Sequence, residues 1–182
     1  IKYACERYTT EEDIYRHLQR ELPRIKPRLA ELRFALPALG KQKAEMLRQT
    51  LELLGQRKRI DGYLEIGTTG RYASVLRRAV RIGGPLVLAH GVAPTMSAAD
   101  IVERGRQRRL GRFVDIGDHD PLPESLPDAS FDLVSCYIGL HHCAPGKLDA
   151  FIASIARVLR AGGIFILRDH DVRDERMRAL VA

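Results

Sequence analysis

From Ile60 onward, short apolar runs alternate with helical stretches, and this pattern restricts the fold more than any other feature of the chain. The runs Gly62–Ile66, Pro85–Ala89, Arg112–Ile116, Phe131–Ile138 and Gly163–Arg168 are short and rich in Val, Ile, Leu and Phe, as buried strands are. Between them lie helical patterns over Tyr72–Val80, Ser97–Gly105 and Lys147–Leu159, the second opened by Ser97 and Asp100 at capping-box spacing. Strand and helix in turn predict an α/β fold with a doubly wound, mostly parallel sheet covered on both faces. Ligands of such sheets bind beyond the carboxyl ends of the strands, where strand order reverses. The residues that follow each strand are therefore the ones to examine for chemistry.

Residues 1–59 read differently, as an N-terminal helical segment ahead of a core over residues 60–182. Thr10 and Asp13 open a helix through Ile14, Leu18 and Leu22, and Pro23, Pro27 and Pro37 then break or kink the pattern. A second helix is expected from about Gly40 to Leu54, with Ala44, Leu47, Leu51 and Leu54 on one face and Gly55 as its stop. Most of the net charge of +7 sits here, with 14 Lys/Arg against 8 Asp/Glu up to residue 59 and 16 against 15 beyond it. Acids interleaved with the bases give this segment the character of solvated helix faces, and the basic run Arg106-Gln107-Arg108-Arg109 lacks aromatic neighbours on which bases would stack. A nucleic-acid partner is not expected.

No apolar run approaches the ~20 residues of a membrane span. Cys5, Cys136 and Cys143 are too few and too scattered for a disulfide framework, and Ile1-Lys2-Tyr3-Ala4-Cys5 carries no signal-peptide pattern. A cytoplasmic protein is expected.

The first strand runs into Glu65-Ile66-Gly67-Thr68-Thr69-Gly70-Arg71-Tyr72. Two glycines three apart allow a tight turn and a close approach of backbone to ligand, and the following helix N-terminus offers free N–H groups. A dinucleotide fingerprint would need glycine at position 65. Glu65 stands there instead, and a carboxylate repels a pyrophosphate but suits a cationic sulfonium compound with an amino group.

Four segments in order then resemble the class I S-adenosylmethionine-dependent methyltransferases of the small-molecule, type 11 kind. Tyr63-Leu64-Glu65-Ile66-Gly67 is similar to their motif I, and Gly117-Asp118-His119-Asp120-Pro121-Leu122-Pro123 to the segment after their third strand. Phe131-Asp132-Leu133-Val134 resembles the start of their fourth strand; Arg157-Val158-Leu159-Arg160-Ala161-Gly162-Gly163 resembles the entry to their fifth, with Ala161 in place of proline. The resemblance implies a Rossmann-like fold, S-adenosylmethionine as cofactor and methyl transfer to a small molecule. It places Glu65 at the methionine end of the cofactor, with Gly67, Thr68, Thr69 and Gly70 shaping the loop. Asp118 is placed on the adenine amino group and the backbone of His119 against the ring; Tyr137 to Leu140 would flank the methyl group. Asp115 and Asp120 are alternatives for the adenine contact, and an ordinary turn aspartate is the other reading of Asp118.

The family's ribose-binding acid after the second strand is replaced by Gly91, beside His90, which has one hydrogen bond to offer where a carboxylate has two. Losing a charge-assisted hydrogen bond costs about 1.5–3 kcal/mol, roughly ten- to hundredfold in affinity. After the fourth strand, His141 and His142 are the candidate general bases, with loop packing as the other reading; adjacent to Cys143 they have the wrong spacing for a metal site, and no metal is expected. Cys136-Tyr137-Ile138-Gly139-Leu140 is not the Pro-Pro-aromatic motif of amide or exocyclic nitrogen methylation. Only a helix, Asp174–Val181, is expected after the fifth strand, so the two strands that complete the family's sheet are missing and the core is read as incomplete at its C-terminus. Two rivals stay open: a non-catalytic binding or scaffold protein on the same fold, suggested by Gly91, and a nucleotide-binding oxidoreductase, opposed by Glu65.

Overall fold

The computed structural model describes residue 17, residues 34–95, residue 101, residues 110–137 and residues 139–169. Five strands form one sheet: β2 (Tyr63–Ile66), β4 (Leu86–His90), β5 (Arg112–Asp115), β6 (Phe131–Tyr137) and β7 (Leu159–Arg168). Their spatial order is β5-β4-β2-β6-β7, and every pairing is parallel. A second, two-stranded parallel sheet joins β1 (Arg59–Ile60) to β3 (Arg81–Ile82). The chain leaves β2 toward β4 and β5, then crosses back to β6 on the other side. Strand order reverses at β2, and a crevice must open at its carboxyl end.

Each strand sends alternate residues to opposite faces. On one face Leu64, Ile66, Val87, Ala89, Val134 and Cys136 pack with Phe151, Ile155 and Val158 of helix α3 (Pro145–Val158). On the other, Tyr63, Leu88, Leu133 and Ile166 pack with Met46 and Leu54 of α1 (Leu36–Leu54) and Ala73 and Leu76 of α2 (Ala73–Ala79). The expected α/β fold, doubly wound and parallel, is what forms. The chain divides into two compact units, 1–41 and 42–182, so Met46, Thr50 and Leu54 belong to the unit that holds the sheet.

Some boundaries differ from expectation for local reasons. Helix α1 starts at Leu36, directly after π-helical residues 34 and 35, and includes Pro37, which was expected to break or kink the pattern. It ends where expected: Gly55 adopts φ +59° and its N–H bonds the Leu51 carbonyl at 3.0 Å. Strand β7 begins at Leu159, four residues before Gly163, because Phe131 pairs with Leu159 while Leu133 pairs with Ile164. The intervening Arg160 stretch is a bulge: its guanidinium bonds the Ala129 carbonyl at 3.0 Å, the Asp132 carboxylate at 3.1 Å and the Asp61 carbonyl.

Among the described residues no helix is long and apolar enough to cross a membrane. The opening helix from Thr10 except helical His17, the basic run Arg106–Arg109, the expected helix Asp174–Val181 and all of Ser97–Gly105 except helical Ile101 lie outside the described residues.

Candidate active site at the strand switch point

Glu65 lies mid-sheet, paired on one side with Leu88 and on the other with Ser135. Pleating turns it to the face of Tyr63, not toward the crevice, and it is 0% exposed. Its carboxylate accepts the Ala73 N–H at 2.5 Å, the Tyr72 N–H at 3.2 Å, the Tyr63 hydroxyl at 3.0 Å and the Thr68 hydroxyl. Burial pushes its pKa up, against the pull of these donors. A carboxylate under the first turn of α2 caps that turn and fastens the loop to the strand.

The loop takes its shape from this anchor. Thr68, also buried, accepts the N–H groups of Gly70 and Arg71 at 3.2 Å each. Gly70 turns into the core, where a Cβ would strike Leu110, while Thr69 is half-buried. Gly67, at φ +83°, faces the crevice and donates its N–H to the Ala89 carbonyl at 2.9 Å.

That crevice is a cleft of about 380 Å³ lined by Gly67, His90, Gly91, Ile116, Gly117, Asp118, His119, Gly139 and His142. It therefore draws on the ends of β2, β4, β5 and β6. Gly91 meets the loop after β5 so closely that a Cβ would run into the Gly117 carbonyl oxygen. No acid fits at position 91 on this backbone. His90 keeps Nδ1 on its own loop, 3.0 Å from the Val92 nitrogen.

The β5 loop is held from α3. Lys147 Nζ bonds the Asp118 carbonyl at 3.0 Å and the Asp120 carboxylate at 2.8 Å. Arg157, from the Arg-Val-Leu segment, donates to the Leu126 carbonyl at 2.7 Å and the Leu122 carbonyl at 3.1 Å. So held, the Asp118 side chain is left 76% exposed. His119 sits at φ +55°, its ring edge-on to Phe151 and its buried Nδ1 without a hydrogen-bond partner. That nitrogen lies 3.5 Å from the Asp118 carboxylate, and the left-handed backbone of a non-glycine residue here is locally strained.

Tyr137 does not reach the cleft. It is buried, its hydroxyl hydrogen-bonded to Thr50 of α1, and its pKa is pushed up to about 12 by burial. Past Gly139 a 3₁₀ turn, Leu140–His142, presents His142 to the cleft, while His141 pairs with Asp169 at the end of β7.

The structure thus gathers Gly67, His90, Gly91, Asp118, His119 and His142 around one cleft and sets Glu65, Thr68, Gly70 and Tyr137 behind its wall. Gly139, from the stretch expected beside the methyl group, also lines it, as do Ile116 and Gly117, which were not singled out as site residues from the sequence. Gly117 heads the segment that contributed Asp118, and a glycine just after a strand was the signal available for it.

A family described as "Methyltransferase domain" matches residues 64–167. An uncharacterized methyltransferase from Synechocystis is 44% identical over 50 residues, covering 26% of this chain and 24% of that protein. The PH0226 protein from Pyrococcus horikoshii superposes with a TM-score of 0.55 at 22% identity, covering 77% of this chain and 58% of that one. An S-adenosylmethionine-dependent methyltransferase from Aquifex aeolicus superposes with a TM-score of 0.50 at 15% identity, covering 71% and 66%. The chain thus spans about a quarter of the curated relative's length.

Proposed function

The chain belongs to the methyltransferase-domain family, and on that premise we propose that it binds S-adenosylmethionine in the switch-point cleft and transfers the methyl group to a small-molecule acceptor. The observation that carries this reading is the cleft itself. Its position follows the ligand rule for doubly wound sheets, its volume lies in the range of small-molecule sites, and four of its lining residues are glycines that bare the backbone.

The residues present fit such a cofactor. The exposed Asp118 carboxylate suits the adenine amino group, and the His119 ring, its Nδ1 3.5 Å from that carboxylate, stands beside it for the base. His90 offers its ring to a ribose hydroxyl, and Gly67 offers bare backbone at the amino-acid end. Glu65 serves from behind, by holding the loop. When bound, the sulfonium supplies an electrophilic methyl carbon. This chain's part is to align an acceptor with it and, for an acceptor with a proton to lose, to remove that proton, a role we give to the His141 and His142 pair. A cytoplasmic enzyme without a nucleic-acid partner is the setting this reading assigns.

Thermal-shift titration with S-adenosylmethionine, S-adenosylhomocysteine and NAD tests it. A ligand at a hundredfold its Kd adds about 2.7 kcal/mol to stability. Stabilisation by the two sulfur compounds and not by NAD is expected; stabilisation by NAD alone, or by none, refutes it. One observation favours a second reading, a binding protein without turnover: Gly91 leaves no room for the ribose-binding acid. Cofactor binding with no methylated product from any acceptor would select that reading.

A further inference from the structure

We propose that Asp169 is a positioning residue that fixes the tautomer of His141 and makes its Nε2 the general base toward a hydroxyl-bearing acceptor. The inference rests on the reading of the cleft as a methyl-donor site and names the acceptor class for it.

Parallel pairing of β6 with β7 sets Tyr137 beside Arg168, so the next residue of β7, Asp169, stands at the 3₁₀ turn that follows β6. Each of its carboxylate oxygens meets His141. Oδ2 accepts the His141 backbone N–H at 3.0 Å, and Oδ1 lies 2.6 Å from His141 Nδ1. A loop brace needs only the first of these bonds. The second orders an imidazole that is still 31% exposed, against a carboxylate that is 20% exposed. With a carboxylate at that distance Nδ1 carries the proton, which puts the ring's lone pair on Nε2. His142, whose ring centre is 4.0 Å from that of His141, lines the cleft, so His141 is the immediate neighbour of a lining residue.

The chemistry balances for a hydroxyl. The acceptor oxygen forms the new C–O bond to the methyl carbon of S-adenosylmethionine, the C–S bond breaks, and its electron pair stays on sulfur. The hydroxyl proton passes to His141 Nε2, the imidazolium is held by Asp169, and the proton then leaves to solvent. A neutral amine attacks through its own lone pair and needs no base beforehand. Phenolic and enolic hydroxyls, with pKa values near 10, are the acceptors an imidazole can help most.

Asp169→Asn provides the test. One oxygen is needed for the His141 N–H, so the amide's NH₂ falls opposite Nδ1 and drives the ring proton to Nε2. Nitrogen-15 NMR of histidine-labelled protein at about pH 8.5, where an ordinary imidazole is neutral, should show His141 protonated on Nδ1 in the wild type and on Nε2 in the variant. Product formation from S-adenosylmethionine is then followed on a panel of phenols, enols and matched primary amines. The variant should lose roughly 100- to 1000-fold in kcat on a hydroxyl acceptor, with KM within about threefold and partial rescue by Asp169→Glu. Its thermal shift with S-adenosylmethionine should equal that of the wild type. An Nε2–H tautomer in the wild type, an unchanged tautomer in Asp169→Asn, or turnover of amines alone overturns the proposal. The tautomer comparison decides the role of Asp169 even if no panel compound is methylated. A wild-type protein that is stabilised by neither sulfur compound overturns the underlying reading of the cleft instead.

Discussion

At Glu65 four donors converge on one buried carboxylate, two of them the first N–H groups available at the start of α2. Replacing it with alanine strands those donors in the core, each a penalty of about 1–3 kcal/mol. We expect Glu65→Ala to lose at least about 3 kcal/mol in urea denaturation and all thermal response to S-adenosylmethionine, while Glu65→Gln, which keeps an acceptor oxygen, loses less of both. Equal stability of the alanine variant and the wild type would contradict the anchoring role. The residue was conspicuous in the sequence, but its orientation was not. Two-residue alternation puts Glu65 on the face of Tyr63, and which face meets the helices is decided by packing. Gly91 makes the complementary case. Its replacement of an acid was plain from sequence, but the Gly117 carbonyl that forbids any side chain there comes from a distant segment. Gly91→Ala should push the two loops apart and weaken S-adenosylmethionine binding about tenfold, near 1.4 kcal/mol, by calorimetry. Gly91→Asp should fail to strengthen it.

Between elements, polar contacts inside the apolar layers fix how parts are held together. Thr50 of α1 meets the Tyr137 hydroxyl of β6, and Tyr63 bonds Ser135 across β2 and β6 at 2.7 Å. Thr50→Val should cost about 1–2 kcal/mol, and a double-mutant cycle with Tyr137→Phe should return a coupling near 1 kcal/mol; additive effects would show that the contact contributes nothing. At the other end of the sheet, Asp132 accepts the Asp61 N–H at 2.5 Å and an Arg160 bond at 3.1 Å. Burial raises its pKa, but these partners outweigh burial and hold it below the ordinary 3.8. Its contribution is therefore complete above that value and fades as the pH falls through the lower folded one. Asp132→Asn should lower stability by about 1–2 kcal/mol at pH 7, discounted for partial exposure. The gap to wild type should close as urea midpoints are followed below pH 4, and a constant gap would assign the effect to packing. The sequence marked β6 and β7 by their apolar runs. The Arg160–Gly163 stretch was legible only as the entry to β7, not as a bulge, because the carbonyls that hold Arg160 lie far away in the chain.

On the scale of the molecule, the alternating pattern was enough to predict a doubly wound parallel sheet, since strands of this kind have few ways to bury both faces. Its order, with β2 between β4 and β6, depends on which edges pair, information spread over segments about seventy residues apart, such as Tyr63 and Leu133. The cleft inherits that non-local origin. Motif matching found the residues at its rim, Gly139 among them, whereas Ile116 became visible only once the strands were side by side. The glycine contact between the two loops has a practical corollary for redesign. Where Gly91 abuts Gly117, main chain rests on main chain, and mutation has no side chain there to trade. Altering what the cleft can accept is a task for the perimeter, for His90, Asp118 and His142, while the floor can only be made wider or left alone.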